Sequence, residues 1–425
     1  MKSMDSKRLL CLFEATLLFA LSTPVVMQYR IFPVESTSYA VFLIFFVLNF
    51  FNILYSFWAD TTGRFFTIIK NTAMWGIITI ALVGAMWTSI ADRGKIAPGQ
   101  NYQTHDIILQ LEAAIRYVTK GKNPYKETYF GTPMESWHYA EDGKDAVNPA
   151  LYHFVMPPWY LLSAYPFYFV SMRTLGYFDG RMPLLASMLG LLFLLFIWIK
   201  DKNIARIAVV LTAFNPATIN YFIEGRSDVQ VLFWFVLALF LVDKKHLILS
   251  AIAFALAMMT KQTAWFAFPL LIGYVWFTSK NALKSIVIYT FVTGFVSLAL
   301  MLPFLVWDWR AFLGSVVFYL SGNTLHSYPI SGYGLGMLLV GGGVIRTIHD
   351  NYPFVIWQVL LGIPALGAGI WYIGKTKTVS SLIIVHAATL FVVWYVSRYF
   401  NNSHVAFISM VFVLGALKYW DEALI

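Results

Sequence analysis

The sequence is poor in charged residues and in cysteine. Its apolar runs are continuous and do not carry a polar residue at every second position. Only 12% of the 425 residues are Asp, Glu, Lys or Arg, whereas a soluble domain usually carries about 25%. The single cysteine, Cys11, excludes an intrachain disulfide. Because the apolar runs are continuous, a membrane β-barrel is disfavoured.

Spacings typical of metal sites are also missing. The sequence has no cysteine pair, no His-x-x-x-His and no Asp-x-Asp, so we expect neither a metal nor another cofactor. We find no internal repeat or second soluble domain, and residues 1–425 are predicted to form one integral-membrane domain. The net charge of +9 does not predict a nucleic-acid partner, because Lys and Arg gather in the cytoplasmic loops of membrane proteins.

Apolar residues make up 59% of the chain. A helix needs roughly 20 of them to cross a bilayer, and many blocks approach that length. They predict an all-α polytopic membrane protein with about 11–14 transmembrane helices. The candidate spans are Leu9–Tyr29, Tyr39–Trp58, Thr72–Ala91, Leu151–Val170, Met182–Ile199, Ile204–Phe222, Val229–Val242, Leu247–Met259, Trp265–Phe277, Ser285–Val306, Tyr333–Ile345, Phe354–Tyr372, Ser380–Val396 and His404–Leu417.

The positive charges predict an orientation. Lys2, Lys7 and Arg8 precede the first block and place the N-terminus in the cytoplasm. After three spans, the polar segment 92–150 is then expected outside a plasma membrane or its equivalent. A second outside loop is expected at 307–332.

One stretch conflicts with this orientation. Segment 92–150 and Asp228 are both expected outside, which requires an even number of crossings between them, yet three candidate spans lie there. Ile204–Phe222 is the best candidate for a helix that does not cross fully, because Asn215-Pro216 interrupts it.

Segment 92–150 contains a predicted amphipathic helix, His105–Thr119, which Gly121 ends. We expect it to lie on the membrane surface. Its apolar side consists of Ile107, Leu111, Ile115 and Val118.

Asp106 falls in the first turn of this helix, where two interpretations are open. An acidic residue stabilises a helix N-terminus by meeting free amides and the positive end of the helix dipole. A carboxylate that faces a cleft at the membrane surface can instead act as a general base.

Several motifs follow in a recognisable order. They are Gly121-Lys122-Asn123-Pro124-Tyr125, Pro157-Pro158-Trp159-Tyr160, Phe214-Asn215-Pro216 with Glu224–Asp228, Leu247–Pro269 and Ser397–His404. In this order they resemble the GT-C superfamily of integral-membrane glycosyltransferases. The resemblance is greatest to glycosyltransferase family 87 and its polyprenyl-phosphate-sugar-dependent mannosyltransferases, and it covers residues 102–417. Gly225-Arg226-Ser227-Asp228 departs from the family's frequent Gly-Gln-x-Asn, which bears on the sugar and the acceptor.

The resemblance implies a GT-C-like helical bundle and an inverting transfer of a single sugar. The donor would be a polyprenyl-phosphate-linked sugar, with mannose favoured, and the acceptor a glycan or glycolipid at the outer face of the lipid bilayer. Asp106 would remove the proton of the acceptor hydroxyl, and the polyprenyl phosphate would leave without a covalent intermediate.

A leaving phosphate requires cations or oriented donors. The candidates are Lys261, Arg226 and Arg398, each with a structural alternative: snorkelling for the lysine, and ion pairing or interfacial anchoring for the arginines. Asp228 is expected to pair with Arg226 or to bind a sugar hydroxyl. Further candidates for sugar or acceptor binding are His105, Tyr125, His138, His326, Tyr328 and His404.

Other functions stay open. Broken helices and intramembrane charges also suit a transporter or flippase of a lipid-linked sugar, although the chain has no inverted repeat. A GT-C relative that transfers another group or a whole oligosaccharide is a second alternative, and a non-catalytic assembly subunit is a third.

Overall fold

The structure of the chain is a computed structural model that describes residues 6–29, 39–59, 61, 63–93, 104–137, 139–141 and 144–424. Most of these residues are helical. The α-helices are α1 (Ser6–Tyr29), α2 (Tyr39–Trp58), α3 (Arg64–Ile78), α4 (Gly84–Arg93), α5 (Asp106–Thr119), α6 (Pro158–Thr174), α7 (Met182–Trp198), α8 (Lys202–Ala213), α9 (Ile219–Glu224), α10 (Asp228–Asp243), α11 (Leu247–Thr260), α12 (Phe268–Thr278), α13 (Ala282–Leu313), α14 (Tyr319–Ser321), α15 (Leu335–Gly341), α16 (Phe354–Thr376), α17 (Val379–Tyr395) and α18 (Asn402–Ala423).

Short elements connect these helices. The π-helical turns Thr79–Val83 and Gly314–Phe318 join α3 to α4 and α13 to α14, and 3-10 helices occupy Pro149–Tyr152 and Gln262–Ala267. Two pairs of two-residue strands complete the fold. They are β1 (Ala140–Glu141) antiparallel to β2 (Lys144–Asp145), and β3 (Ser331–Gly332) parallel to β4 (Tyr399–Phe400).

Helix ends follow from local sequence. The Asp201 carboxylate accepts hydrogen bonds from the amides of Asn203 and Ile204, at 2.8 and 3.0 Å, and so begins α8. Pro158 occupies the first turn of α6, where its missing amide hydrogen costs nothing. Gly121 has a φ of +70° just after α5, in agreement with its predicted role as the stop residue.

Long apolar helices indicate a membrane protein. Among the described residues, five helices are long and apolar enough to cross a bilayer: Ser6–Gln28, Arg64–Arg93, Ala282–Ser321, Phe354–Thr376 and Asn402–Ala423. Only 17% of the most apolar window is buried in each of Ala282–Ser321 and Phe354–Thr376, so these helices present broad apolar faces of the kind that lipid covers. The larger number of crossings and the orientation stay predictions.

The helices pack around one extended core, which includes buried side chains from α1 through α18. α10 packs between α7 and α11, and α17 packs between α16 and α18. α8 lies against α1 and α18, which joins the N-terminal helices to the C-terminal one.

The structure bears on three predicted boundaries. Tyr333–Ile345 is not a span, because only the seven residues of α15 are helical there. The predicted start of the loop 307–332 falls at a kink in α13, where Asp308 is not helical (φ −165°, ψ 94°), but helical residues continue beyond the kink to Ser321. The predicted interruption at Asn215-Pro216 is present, because α8 ends at Ala213 and α9 begins at Ile219.

α5 forms where the sequence predicts it, but its environment differs from the expectation. Every residue from Ile108 to Ile115 is buried, including the polar Gln110 and Glu112. The Gln110 amide donates hydrogen bonds of 2.7 Å to the carbonyls of Ala150 and His153. The prediction that α5 lies on the membrane surface is therefore wrong, because protein covers both its apolar and its polar side.

The polar side of α5 is held by a buried ionic network of two acids and two arginines, Arg93, Glu112, Asp179 and Arg181. Arg93 donates through both terminal nitrogens to the Glu112 carboxylate, at 2.7 and 2.8 Å, and at 2.8 Å to Asp179. Asp179 also accepts two hydrogen bonds of 2.9 Å from the Arg181 guanidinium. Because formal charges cancel and the geometry is bidentate, the network tolerates burial that a single charge would not.

We predict that Glu112→Gln destabilises the protein strongly. The substitution leaves two buried arginines with one carboxylate, and breaking a buried pair in this way costs about 3–5 kcal/mol. The matched control is Glu127→Gln, whose Lys122 partner is 52% exposed; such pairs contribute about 0–1 kcal/mol. Thermal unfolding in detergent measures both variants, and equal midpoints would contradict the role of the network.

Candidate active site

The N-terminus of α5 brings Asp106 next to residues 224–226. The His105 amide donates a 2.7 Å hydrogen bond to the Glu224 carbonyl. Gly225 follows in the left-handed region, at a φ of +103°. A Cβ at that position would lie 2.3 Å from Ile108 of α5, so glycine is required for this close approach.

Both carboxylate oxygens of Asp106 have partners. His105 Nδ1 lies 2.7 Å from Oδ1, and the Asn148 amide donates to Oδ2 at 3.0 Å. The Ile107 amide is placed to donate to the same Nδ1, but at the longer distance of 3.3 Å. A contact of 2.7 Å to a carboxylate oxygen requires a proton on Nδ1, so we assign His105 as the donor to Asp106.

The ionisation of Asp106 is controlled by these partners. Burial raises its pKa, but the charge and hydrogen bond of His105 and the hydrogen bond of Asn148 outweigh that effect, with help from the charge of Arg226, and lower the pKa to about 2. Asp106 is therefore a carboxylate at neutral pH.

A second group of charges lies within electrostatic reach of the first. Lys261 and Asp228 form an ion pair, and both influence His404, as does Arg226. The expected pairing of Asp228 with Arg226 is thus replaced by pairing with Lys261. Arg226 packs its guanidinium 4.4 Å from the centre of the Tyr221 ring. Among the described residues, its guanidinium has no ion pair or hydrogen bond, and Nε is buried without a partner.

Arg226 and Asp228 line an apolar cavity. Side chains of α7, α9, α10 and α18 form its walls, which are mainly apolar: Met188, Leu191, Phe222, Val229, Leu232, Ala406, Phe407 and Met410. The cavity therefore combines an apolar interior with a cationic group at one side.

Buried polar atoms without partners occur along the whole chain, and some belong to residues beside the site. Thr104 Oγ1, Tyr160 OH, Thr212 Oγ1 and Ser227 Oγ have no hydrogen-bond partner within the described part of the chain. The charges of Glu112, Asp106 and Asp228 all act on Tyr160. Because buried polar groups are nearly always hydrogen-bonded, Thr212, which also lines the cavity, and Ser227, next to Arg226, have hydrogen-bonding capacity for a ligand.

The other side of Asp106 is lined by the polar loops. Tyr139 donates a 2.7 Å hydrogen bond to Glu141, whose other oxygen lies 2.9 Å from His349 Nε2. Tyr328 lies near Tyr399, with ring centres 4.9 Å apart. Burial and the charge of Asp106 both raise the pKa of Tyr328, so its hydroxyl is protonated and can donate.

Tyr125 and Arg398 are buried, and both have protein partners. Tyr125 is 2% exposed, its ring packs against three phenylalanines, and its hydroxyl donates to the Met156 carbonyl. Arg398 is 3% exposed and donates to the backbone carbonyls of Tyr328, Ile348 and Asp350. Both side chains serve packing, which argues against sugar binding by the tyrosine and phosphate binding by the arginine.

The remaining candidates differ in position. His404 lies in the charged group, but its Nδ1 accepts a 3.1 Å hydrogen bond from the Asn401 amide and caps α18. The His326 ring stacks on Tyr152, with centres 3.7 Å apart, so one ring face is covered. His138 lies outside the described residues.

The sequence reasoning missed the residues that position the site. Asn148 binds Asp106, and the buried network fixes α5. Two signals existed: Asn148-Pro149 has the form of a helix start, and Asp179-Gly180-Arg181 places two charges between apolar blocks, where charges are usually functional or paired.

The described residues contain no group of three or more His, Cys, Asp or Glu side chains that could hold a metal ion. Comparisons with family models, with curated proteins and with solved structures found no match. The resemblance to GT-C glycosyltransferases therefore rests on the motifs alone.

We predict that Gly225→Ala displaces α5 and lowers the stability of the protein. A left-handed conformation costs a non-glycine residue about 1–2 kcal/mol, and the contact with Ile108 adds an overpacking cost of about 1–3 kcal/mol. The control is Gly176→Ala, which also has a positive φ, of +75°, but no atom within 4 Å of the added Cβ. Equal loss of thermal stability in the two variants would contradict a steric role for Gly225.

Proposed function

We propose that the chain is an inverting, GT-C-like glycosyltransferase that moves a single sugar from a polyprenyl-phosphate carrier to a glycan or glycolipid acceptor. Mannose is the favoured sugar, and the reaction is placed at the extracytoplasmic face. One observation carries the proposal: a hydrogen-bonded carboxylate, Asp106, lies within electrostatic reach of an unpaired cation, Arg226, beside an apolar cavity.

The cations suit the phosphate of the donor. Arg226 has no anionic partner among the described residues, and a guanidinium binds phosphate with two parallel hydrogen bonds. Lys261 is engaged with Asp228, but an ammonium group carries three donors, so it has capacity for a second acceptor. Together they would stabilise the charge that develops on the leaving phosphate.

The cavity suits the isoprenoid chain. A lipid-linked donor has a polar headgroup joined to a long hydrocarbon, and the cavity has Arg226 and Asp228 at one side with apolar walls beyond them. The cavity would hold the first part of such a chain, and the rest would extend toward the lipid.

The acceptor would approach from the side of the polar loops. Tyr139 and Tyr328 lie within electrostatic reach of Asp106, and such side chains bind sugars through ring stacking and hydrogen bonds. The His105–Asp106 pair would then receive the proton of the attacking hydroxyl.

A transporter or flippase of a lipid-linked sugar is the second candidate. The interruption between α8 and α9 lies beside the cavity, and discontinuous helices form the substrate sites of many transporters. A transporter would move the carrier across the bilayer without breaking the bond between sugar and phosphate.

We predict that purified wild-type protein in liposomes transfers sugar from at least one member of a panel of polyprenyl-phosphate sugars to an added acceptor. Asp106→Asn should reduce the rate at least about 100-fold, because it removes the carboxylate of the proton-accepting pair. Glu127→Gln, a carboxylate-to-amide change in the same loop, is the control and should retain activity. Movement of the carrier across the vesicle membrane without sugar release would support the transporter instead.

We predict that Arg226→Gln weakens use of the donor. Hydrogen bonds to a charged group contribute about 1.5–3 kcal/mol, so kcat/KM for the donor should fall about 10–100-fold. Arg173→Gln is the matched control, because Arg173 also stacks on an aromatic ring, 3.6 Å from the centre of Phe169, but on an exposed helix end. An unchanged kcat/KM in Arg226→Gln would exclude Arg226 from phosphate binding.

A further inference from the structure

The two members of the His105–Asp106 pair are not equally available to a substrate. Oδ1 of Asp106 lies 2.7 Å from His105 Nδ1, and Oδ2 accepts from Asn148 at 3.0 Å. The carboxylate also lies at the start of α5, where the positive end of the helix dipole stabilises its charge. A substrate hydroxyl that approached Asp106 would have to compete with two protein donors.

His105 has an unused acceptor. Because Nδ1 carries the proton that Asp106 accepts, Nε2 of the neutral ring has a free lone pair. Within the described part of the chain, no residue makes a hydrogen bond to Nε2, and the side chain is 22% exposed. The Trp137 ring lies 6.2 Å from the imidazole and limits its movement.

Backbone contacts fix the position of the imidazole. The His105 amide binds the Glu224 carbonyl at 2.7 Å, and the Trp137 indole donates to the Thr104 carbonyl at 2.8 Å. Glu224, two residues before Arg226, and Trp137 thus hold the turn that carries His105.

From this arrangement we infer that His105 Nε2 takes the proton of the acceptor hydroxyl, and that Asp106 is the carboxylate that orients and stabilises the imidazole. The inference rests on the proposed function and states which member of the His105–Asp106 pair accepts the proton of the acceptor hydroxyl. Burial raises the pKa of Asp106 and the charge of His105 lowers it, so the carboxylate is best matched to an imidazolium, which is the form of His105 that this step produces.

The step balances without another reactant. The acceptor oxygen forms a bond to the anomeric carbon while the bond between that carbon and the phosphate oxygen breaks. The electron pair leaves with the polyprenyl phosphate, near Arg226 and Lys261. The hydroxyl proton moves to Nε2, which gives an imidazolium paired with Asp106, and His105 then returns the proton to water or to the released phosphate.

The test compares His105→Gln and Asp106→Asn on a donor that the wild-type protein uses. We expect kcat of His105→Gln to fall about 10²–10⁴-fold, with little change in the KM for the donor. His246→Gln is the control, because His246 is exposed at the start of α11 and makes no side-chain cap hydrogen bond.

A second variant separates catalysis from folding. His105→Gly removes the ring but keeps a residue that helix N-termini accept, and added imidazole should restore part of its activity in proportion to the free-base concentration. A residue that only supports structure would not respond to imidazole.

The outcomes separate the inference from the proposed function. If wild-type protein transfers sugar but His105→Gln retains most of its kcat while Asp106→Asn loses activity, Asp106 itself is the base and the inference is wrong. If wild-type protein transfers no sugar from any donor in the panel, the proposed function fails and the inference fails with it.

Discussion

The buried network of Arg93, Glu112, Asp179 and Arg181 is the interaction on which the position of the candidate site depends. Transfer of a charge into the interior of a protein costs several kcal/mol, and that cost is offset only where opposite charges meet in good geometry. The network has such geometry only when α4, α5 and the turn before α7 are correctly placed. Asp106 begins α5, six residues before Glu112. The ionic network that fixes α5 therefore also fixes the position of the site.

The arginine side chains differ in whether protein groups satisfy their guanidinium groups. Arg181 and Arg398 are 0% and 3% exposed, and carboxylates or backbone carbonyls satisfy them. Arg226 has only an aromatic ring as a partner among the described residues. Arg226 itself is partly buried, and its Nε is buried without a partner in the described part of the chain. The contrast is therefore the physical basis for assigning Arg226 to a ligand.

Sequence reasoning succeeded where the signal was local. Helix His105–Thr119, its stop at Gly121 and the interruption at Asn215-Pro216 depend on spacing and on residues that favour or break helices. It failed where a distant partner decides. Periodicity shows that Gln110 and Glu112 lie off the apolar side of α5, but not that residues 40 and 19 positions away cover them. Arg398 looked like a phosphate ligand because nothing in the sequence reveals that distant carbonyls fold around its guanidinium.

The network also has a consequence for how the chain is made. Glu112 follows Arg93 by 19 residues, and Arg181 follows Asp179 by two. Each charge therefore emerges from the ribosome close in time to an opposite charge, whereas the contact that joins the two pairs spans 86 residues. The network can form from two neutral units, and neither needs to enter the bilayer as a lone ion. The order of residues along the chain thus protects membrane insertion as well as the folded state.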